Sequence, residues 1–488
     1  MAESAQTRQE TEAAGREEAL TRSDAVASHR RILAAARALI GDRRVTMTEL
    51  AAAAKVGRST LYRHFPTREA LAKALDDSEA TAASSIGPRA PSARVSTLPF
   101  RAPGGLGRSA PLALEVTRIL DEVPPHLVAD QLVAEARRVA GVPIALYVVE
   151  IDGSHLVRLA GSEEFPEQLD APPALGPEIV PEGLPGFYET LQDHLPACVP
   201  EPLWLRGRVT GLLLCIGTPL ASLADIAKQG AAALELANDY TDSIEAAKRR
   251  RPTTAAAEVQ QHLFPPRIAR IAGAQLAGVL VPSYEVGGDW FDFVENRDGA
   301  WLAIADAMGT GPTAAGLGAA ALGALRAARR SGQDLESALT AIDETVRRLD
   351  HPDFYVTALV ARWRAATATL TWVNCGHPNA YLVDRDGVLN ELKAPEHPPL
   401  GIGTAGERFT LTRRQLRSGE RLILVTDGVI NRHTDDGATF GVDGLKRSLE
   451  RADNPTAGST AMAIQQAITD DWHEPLEDDA TIVVMAIE

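Results

Sequence analysis

The sequence predicts a multidomain protein that combines an all-α domain, an α/β domain and an α+β domain built as a β-sandwich flanked by helices. The chain has 488 residues, which is more than one ordinary hydrophobic core organises. Helical patterns fill residues 26–80, whereas strand and helix patterns alternate over residues 110–245 and 253–488. Residues 81–109 are rich in Ser, Ala, Pro and Gly, which indicates a flexible linker after the first domain.

Composition favours a globular protein of the cytoplasm. Hydrophobic residues make up 45% of the chain and charged residues 23%, and no apolar run reaches the roughly 18 residues that span a bilayer. We therefore expect no membrane contact. Residues 1–25 are polar and lack the apolar core of a secretory signal, so we predict a disordered tail. Cys198, Cys215 and Cys375 lie far apart, which predicts neither a disulfide framework nor a metal knuckle.

Charge is distributed unevenly along the chain. The net charge of -16 argues against a protein that coats nucleic acid with its whole surface. Residues 26–75, however, contain ten Lys and Arg but only three Asp and Glu. A basic module therefore begins an acidic chain.

The basic module has the pattern of a helix-turn-helix over residues 26–80. "HRRILAAARALIGD" carries a helical apolar stripe, and Thr46 with Glu49 forms a capping box for a second helix. A tight turn at Gly57 leads to a further short helix, "STLYRHF", which Pro66 ends. Short helices around a glycine turn in a basic context predict DNA binding.

The stretch "TELAAAAKVGRSTLYRHFPTREAL" resembles the DNA-binding end of TetR-type regulators. The resemblance implies that Thr60 and Arg63 contact base edges, whereas Lys55, Arg58 and Tyr62 contact phosphates. The alternative is a module that has lost its operator and is kept for dimerisation or protein contact, because the ligand-binding helices usual in that family do not follow.

The middle domain, residues 110–245, is predicted to contain two strand pairs and a long exit helix. The pairs are "IALYVVEIDGSHLVRLAG", with an Asp-Gly turn, and "VPEPLWLRGRVTGLLLCIG". Apolar residues from Leu223 to Ile244 then recur with the spacing of one long helix suited to pair with another. This order resembles a GAF-type sensory domain. A spacer or a unit that makes the protein a homodimer is the alternative.

The last domain, residues 253–488, starts with the helix "TAAAEVQQHLFPP" and continues with many strands. Four aspartates recur at strand ends beside Gly or another Asp: Asp289, Asp306, Asp427 and Asp478. If the sheets bring these strand ends together, the like charges need compensation. Divalent cations such as Mg²⁺ or Mn²⁺ take oxygen ligands and supply that compensation.

Several stretches of this domain resemble the bacterial PPM (PP2C-like) serine/threonine phosphatases of the RsbU/SpoIIE type. They are "YEVGGDWFDF", "IADAMGTGPTAA", "NCGHPNAYLV", "LVTDGV" and "DDATIVVM". The resemblance implies two Mn²⁺ or Mg²⁺ ions, with Asp306 bridging both ions beside the carbonyl of Ala307. It assigns Asp289 to one ion, and Asp427 with Asp478 to the other. Asp306 and Asp289 are then also the catalytic residues, since the bridging hydroxide attacks the phosphoserine or phosphothreonine.

Neighbouring polar residues have two interpretations each. Asp292 and Asp479 either support the ligands and the fold or bind metal themselves, and His377 either stabilises a turn or acts as a general acid. Two positions depart from the family pattern. Thr310 replaces the His of "MGHG", and Pro252 interrupts the helix expected between the middle and last domains.

The sequence therefore predicts a metal-dependent protein serine/threonine phosphatase that is regulated by its amino-terminal domains. The resemblance implies a phosphorylated anti-anti-sigma (STAS) protein as substrate and helices over residues 313–350 that gate metal binding. A DNA-binding transcriptional regulator that uses its phosphatase-like domain as a sensor or scaffold is the alternative. A protein in which DNA occupancy and phosphatase activity are coupled is the third possibility.

Overall fold

The computed structural model describes residues 120–250, 253–283, 286–403, 408–433, 439–469 and 478–488, with a few single residues elsewhere. The chain divides into two compact units, residues 1–104 and 105–488. The predicted tail, the linker, Pro252 and four of the five predicted DNA contacts (Arg58, Thr60, Tyr62 and Arg63) lie outside the described residues.

Few residues of the amino-terminal unit are described. Ile32, Leu61 and Phe65 are buried, and the backbone N–H of Phe65 donates to the carbonyl of Leu61 at 2.9 Å. Lys55, the fifth predicted DNA contact, is exposed in a turn with φ of 53°. The exposure of Lys55 is compatible with a DNA contact, and all five DNA contacts stay predictions.

The middle domain is a seven-stranded sheet with helices on its faces. Its elements are α1 (Val128–Ala140), β1 (Ile144–Val149), β2 (His155–Gly161), β3 (Gln168–Asp170), β4 (Ala174–Leu175), β5 (Glu178–Ile179), α2 (Leu184–His194), β6 (Cys198–Leu205), β7 (Arg208–Ile216), α3 (Ala224–Asn238) and α4 (Ser243–Ala247). The strand order is β3-β2-β1-β7-β5-β4, and β6 also pairs with β7. Both predicted hairpins are present. The second hairpin turns at Arg206 and Gly207, whose φ angles of 51° and 88° match a tight hairpin turn.

The prediction of one long exit helix is wrong. The helix α3 ends at Asn238, and the short α4 begins only at Ser243. The Thr241 hydroxyl accepts from the backbone N–H of Ser243, a local hydrogen bond that competes with continued helix. Instead of leaving the domain, α3 packs on α1, so closely that a Cβ on Gly230 would lie 2.4 Å from Leu132.

The carboxy-terminal domain contains two six-stranded sheets. Its first elements are α5 (Ala255–Leu263), β8 (Ile268–Ile271), β9 (Ala274–Val281), β10 (Trp290–Asn296), β11 (Gly299–Ala307), α6 (Gly311–Arg330), α7 (Leu335–Arg347), β12 (Val356–Arg364) and β13 (Thr369–Cys375). The remaining elements are β14 (Ala380–Val383), β15 (Leu389–Leu392), β16 (Glu396–His397), β17 (Thr412–Gln415), β18 (Arg421–Val425), α8 (Asp427–Ile430), α9 (Gly441–Glu450), α10 (Ala457–Thr469) and β19 (Ala480–Ile487). The first sheet has the order β10-β11-β12-β13-β16, with β17 also on β13, and the second has the order β15-β14-β18-β19-β9-β8.

Alternation along the strands builds the predicted β-sandwich. Leu302 and Ile304 of β11 point into the core between the sheets, where Leu424 and Met485 of the second sheet meet them. Ala303, on the opposite face of β11, packs under α6 and α7. The outer face of the second sheet packs against α9 and α10 in the same way. The domain is therefore a stack of helices, two sheets and helices.

The middle domain docks directly on the second sheet of the sandwich. Leu175, the last residue of β4, and Val180, which follows β5, belong to the hydrophobic cluster around β9, β18 and α10. Between them, the buried carboxylate of Glu178 accepts from the backbone N–H of Ile268 at 2.8 Å and pairs with Arg208. Residues 105–488 accordingly form one compact unit rather than two independent bodies.

Among the described residues, the helices are all too short or too polar to cross a membrane.

The docking contact gives a stability prediction. Arg208 pairs with two glutamates whose side chains differ in exposure, Glu178 at 5% and Glu235 at 52%. Glu178→Gln removes a buried charge, so we expect the free energy of unfolding to fall by about 3 kcal/mol. The matched control Glu235→Gln removes an exposed charge and should cost at most about 1 kcal/mol. Urea unfolding of the full-length variants checks this, and equal losses in both would contradict the docking role of Glu178.

Candidate metal centre

The four aspartates predicted as metal ligands lie at one end of the sandwich, two from each sheet. Asp289 directly precedes β10, and Asp306 is the penultimate residue of the neighbouring strand β11. Asp427 begins α8 directly after β18, and Asp478 lies just before the neighbouring strand β19. Since the backbone N–H of Thr426 donates to Thr481 at 3.1 Å, the pairing of β18 and β19 extends to the acids.

Asp289 connects the two sheets through its side chain. Its Oδ2 accepts hydrogen bonds from the hydroxyls of Thr426, at 2.8 Å, and Thr481, at 2.6 Å. Both threonines belong to the second sheet, whereas Asp289 leads into the first. Asp289 is only 3% exposed, so these hydrogen bonds fix its carboxylate in a buried position.

Asp479 holds the loop that carries Asp289. Its Oδ1 accepts from the backbone N–H of Ser283 at 2.9 Å, and its Oδ2 accepts from the backbone N–H of Gly287 at 3.0 Å. Oδ2 also accepts from the side-chain amide of Gln260 at 2.9 Å. The interpretation of Asp479 as a supporting residue fits this geometry, because its carboxylate oxygens already accept from the loop and from α5.

Gln260 is a site residue that the sequence analysis missed. This side chain of α5 donates both to the Asp479 carboxylate and, at 3.2 Å, to the backbone carbonyl of Asp289. The missed signal is periodicity, since Gln260 lies four residues after Ala256 and shares its buried helix face. A glutamine at a core position needs a hydrogen-bond partner, and the metal-site loop provides two.

Two glycines allow the backbone to approach closely at the centre. A Cβ on Gly288 would lie 1.8 Å from the carbonyl oxygen of Ala307, and one on Gly428 would lie 2.0 Å from that of Asp479. The "GGD" and "TDG" motifs therefore place glycine where no side chain fits. The predicted ligand carbonyl of Ala307 lies against the Asp289 loop, and the Ala307 N–H donates to Gly288 at 3.2 Å.

The electrostatics show that the acids act on one another. Burial, then the charges of Asp427, Asp478 and Asp479, raises the pKa of Asp306 to about 7. Burial, then the charge of Asp306, raises the pKa of Asp289 well above its usual value. The pKa of Asp478 is raised by burial and by Asp427 and Asp479. The centre therefore carries negative charge that the protein itself does not neutralise.

The donor chemistry fits a hard divalent cation. The acids and the Ala307 carbonyl supply oxygen donors only, which suits Mg²⁺ or Mn²⁺. Within the described part of the chain, no three His, Cys, Asp or Glu side chains yet converge on a common point as ligands. The carboxylates are thus gathered at one end of the fold, where each acts on the charge of the others.

Asp292 belongs to a different contact. Phe291 packs between the sheets, whereas Trp290 and Asp292 face α6, as strand alternation predicts. The Asp292 carboxylate pairs with Arg326 at 2.9 Å and with Arg329 at 2.6 Å, both on α6. Asp292 therefore attaches α6 to β10 and is a structural residue.

His377 is built into a turn. Its backbone N–H donates to the side chain of Asn374 at 2.8 Å, and its Nδ1 lies 3.0 Å from the Thr357 hydroxyl. Burial lowers the pKa of His377 to about 3, so the imidazole is neutral near pH 7. These contacts fit the turn-stabilising interpretation rather than a general acid. Thr310, which replaces a family His, is exposed at the amino end of α6.

Comparison with known proteins adds sequence relatives. The family model described as Stage II sporulation protein E (SpoIIE) matches residues 296–488, which include Asp306, Asp427 and Asp478 but begin after Asp289. The model of bacterial regulatory proteins of the tetR family matches residues 32–75. Phosphoserine phosphatase RsbU of Bacillus subtilis (strain 168) is 24% identical over 231 residues, which cover 47% of this chain and 68% of RsbU.

Solved structures that are similar to this chain include one with an RsbU domain and one of a PP2C domain. The RsbU and RsbW domains of Rv1364c from Mycobacterium tuberculosis are 24% identical, with a TM-score of 0.40, covering 45% of this chain and 62% of that chain. The SiaA-PP2C domain of Pseudomonas aeruginosa is 20% identical, with a TM-score of 0.41, covering 48% of this chain and 94% of that domain. This chain thus spans less than two thirds of the Rv1364c structure. From the sequence matches, the chain carries a SpoIIE-type, PP2C-like phosphatase domain homologous to RsbU at its carboxy end and a TetR-type helix-turn-helix segment near its amino end.

Proposed function

We propose that the protein is a Mn²⁺- or Mg²⁺-dependent protein serine/threonine phosphatase, with residues 253–488 as its catalytic domain. The observation that carries this proposal is the group of aspartates at one end of the sandwich, where burial and then mutual repulsion raise the pKa of Asp306 to about 7. An uncompensated group of carboxylates is costly unless cations join it.

The proposed roles follow the positions of the acids. Asp306 and the Ala307 carbonyl would hold both ions, Asp289 would hold one, and Asp427 with Asp478 would hold the other. When bound, the ions lower the pKa of water and stabilise negative charge on a phosphoryl group. Thr426 and Thr481 orient the Asp289 carboxylate by donating to its Oδ2. A ligand that is held in place by its neighbours binds metal more tightly.

The proposed substrate class is a phosphorylated anti-anti-sigma (STAS) protein of the cytoplasm. Homology to a protein named phosphoserine phosphatase supports phosphoserine as the group that is hydrolysed. The three buried cysteines form no disulfide, which agrees with a reducing compartment. The resemblance of the last domain to RsbU/SpoIIE-type phosphatases, which implies such a substrate, supports this choice of partner.

Regulation by the amino-terminal domains is the finer part of the proposal. We place a GAF-like sensory domain at residues 110–245, after a linker at 81–109, and we expect a homodimer. The sheet of this domain, flanked by α1, α2 and α3, supports a ligand-sensing or dimerising role. Its direct contact with the catalytic domain through Glu178 and Ile268 supports the transmission of a signal. Gating by α6 and α7, which cover the first sheet, belongs to the same proposal.

A second candidate function is a DNA-binding transcriptional regulator whose phosphatase-like domain is a sensor or scaffold. The match of residues 32–75 to the tetR family favours it, with Lys55, Arg58, Thr60, Tyr62 and Arg63 as proposed DNA contacts. The two functions differ in whether the metal centre hydrolyses phosphate.

Replacement of Asp306 tests the enzyme. Asp306→Asn removes the charge of the proposed bridging ligand, so we expect Mn²⁺-dependent release of phosphate from a phosphoserine STAS protein to fall at least about 100-fold. The control Asp386→Asn, in an exposed turn, should keep its activity. EDTA should abolish activity in both the wild type and the control. Wild-type protein that is inert with Mn²⁺ on this substrate and on p-nitrophenyl phosphate would instead favour the scaffold function.

The raised pKa values predict how stability depends on pH. Asp306 binds its proton more tightly in the folded protein, where its pKa is about 7, than in the unfolded chain, where its pKa is the ordinary 3.8. This contribution to stability is complete below the lower value and is lost as pH rises through the higher one. As the pH rises from 5 to 8, the free energy of unfolding of the metal-free protein should therefore fall because of Asp306. Calorimetry should show that Mn²⁺ raises the Tm by several degrees more at pH 8 than at pH 5, and equal increases would contradict the assignment.

Gln260 provides a test of loop positioning. Gln260→Ala removes both hydrogen bonds to the Asp289 loop, so we expect the apparent affinity for Mn²⁺ to fall about 10-fold to 100-fold. Activity at saturating Mn²⁺ should change less. The adjacent Gln261→Ala is the matched control, because Gln261 instead accepts from Arg267. Metal titration of phosphatase activity checks the pair, and identical curves for both variants would exclude the positioning role.

A further inference from the structure

A groove lined by arginines lies on the outer face of the first sheet, beyond the end of the helix layer. On β12 and β13, Val360 and Val373 are covered by α6 and α7. Arg362 and Arg364 on β12 lie two and four positions from Val360 and share its face. Thr371 and Thr369 on the antiparallel β13 lie two and four positions from Val373 in the same way. These four residues line an open groove of about 530 Å³. We call this the arginine groove, and its polar lining consists of Asp334, Arg362, Arg364, Thr367, Thr369, Thr371, Arg413 and Gln415.

The strand register arranges these side chains in rows. Arg362 on β12 pairs with Thr371 on β13, and Thr371 pairs with Arg413 on β17. Thr371 therefore lies between two arginine positions, with Cβ atoms of neighbours about 5 Å apart. Arg364, Thr369 and Gln415 form the next row in the same way.

The arginines of the groove exceed their counter-charges. Arg362 pairs with Asp298 and lies over the Trp301 ring at 5.4 Å, but its Nε is buried and has no hydrogen-bond partner among the described residues. Arg364 and Arg413 form no ion pair within the described part of the chain. The rim carboxylate of Asp334 already accepts from Ser337 as a helix cap. This excess of positive charge occurs in a protein with a net charge of -16.

We propose that the arginine groove binds a small anion that carries phosphate groups. The planar fork of guanidinium donors matches phosphate oxygens, and Thr371, which pairs with Arg413 across the strands, adds a hydroxyl donor. The volume falls in the range of small-molecule sites. Leu335 and Leu411 at the edge of the groove provide apolar surface for an organic part. Burial and the nearby charge of Arg364 lower the pKa of Arg362, a repulsion that a bound anion relieves.

The groove is separate from the metal centre and goes beyond the proposed phosphatase function. Trp301, which pairs with Arg362, and Asp306 are five residues apart on β11. A strand rises about 3.3 Å per residue, so the two sites lie about 17 Å apart.

Titration of full-length protein with pyrophosphate in EDTA tests the proposal. Isothermal calorimetry at constant ionic strength should show saturable binding of one pyrophosphate per chain. Without metal, the aspartates repel anions, so the signal does not report on the metal centre. Arg413→Gln should weaken binding at least about tenfold, because a charged hydrogen bond is lost. Arg447→Gln, at an exposed arginine of α9, is the control and should stay within about twofold of wild type.

Further variants and probes keep the result decisive. Thr371→Val keeps the shape of the strand residue but removes the hydroxyl, so it should also weaken pyrophosphate binding at an unchanged Tm. ATP that binds more tightly than tripolyphosphate would identify a nucleotide-like source, and equal affinity would identify inorganic phosphates. No saturable heat, equal losses in Arg413→Gln and Arg447→Gln, or citrate binding as tight as pyrophosphate would each overturn the proposal. Asp306→Asn should leave pyrophosphate binding unchanged, so failure of the phosphatase function and failure of this site are distinguishable.

Discussion

The arrangement of the catalytic end depends on one buried carboxylate that two sheets share. Asp289 leads into the first sheet, and it accepts hydrogen bonds from Thr426 and Thr481 of the second. The apolar contacts of a sandwich core are non-directional, so they tolerate small shifts of one sheet relative to the other. Directional hydrogen bonds to a buried charge do not tolerate them. This contact therefore sets the relative position of the strand ends that carry Asp306 and Asp427.

The same contact carries a cost in stability. Gathering carboxylates in a partly buried place raises their pKa values and opposes folding near neutral pH. The charge of Asp479 adds to this repulsion, but its two oxygens hold the loop by accepting from Ser283, Gly287 and Gln260. The fold also uses glycines at 288 and 428, where backbone passes against backbone. Supporting hydrogen bonds and electrostatic repulsion are thus concentrated at the same end of the molecule, as is typical of sites organised for chemistry rather than for stability.

Much of this site could be predicted from the sequence because its signals are local. Strand alternation places Phe291 and Asp292 on opposite faces, and the contacts of Asp292 with Arg326 and Arg329 agree with it. Gln260 was missed because its partners lie far away in sequence, at Asp289 and Asp479. The end of α3 was missed because apolar spacing continues through Tyr240, while local hydrogen bonding at Thr241 ends the helix. Pairings across long sequence distances and side-chain competition for the backbone leave little trace in periodicity.

The docking of the middle domain changes how a signal would reach the metal centre. The interruption predicted at Pro252 agrees with two separate helices between the domains, α4 ending at Ala247 and α5 beginning at Ala255. Contact is made instead at Glu178, which holds the first residue of β8, Ile268. The chain before β8 leads back within a few residues to α5, and α5 carries Gln260. Because Gln260 donates to both Asp289 and Asp479, any displacement of α5 relative to the sandwich changes two hydrogen bonds of the metal-site loop at once. A regulatory ligand of the middle domain would therefore need only to shift this docking contact, and a continuous helix is not required for the coupling.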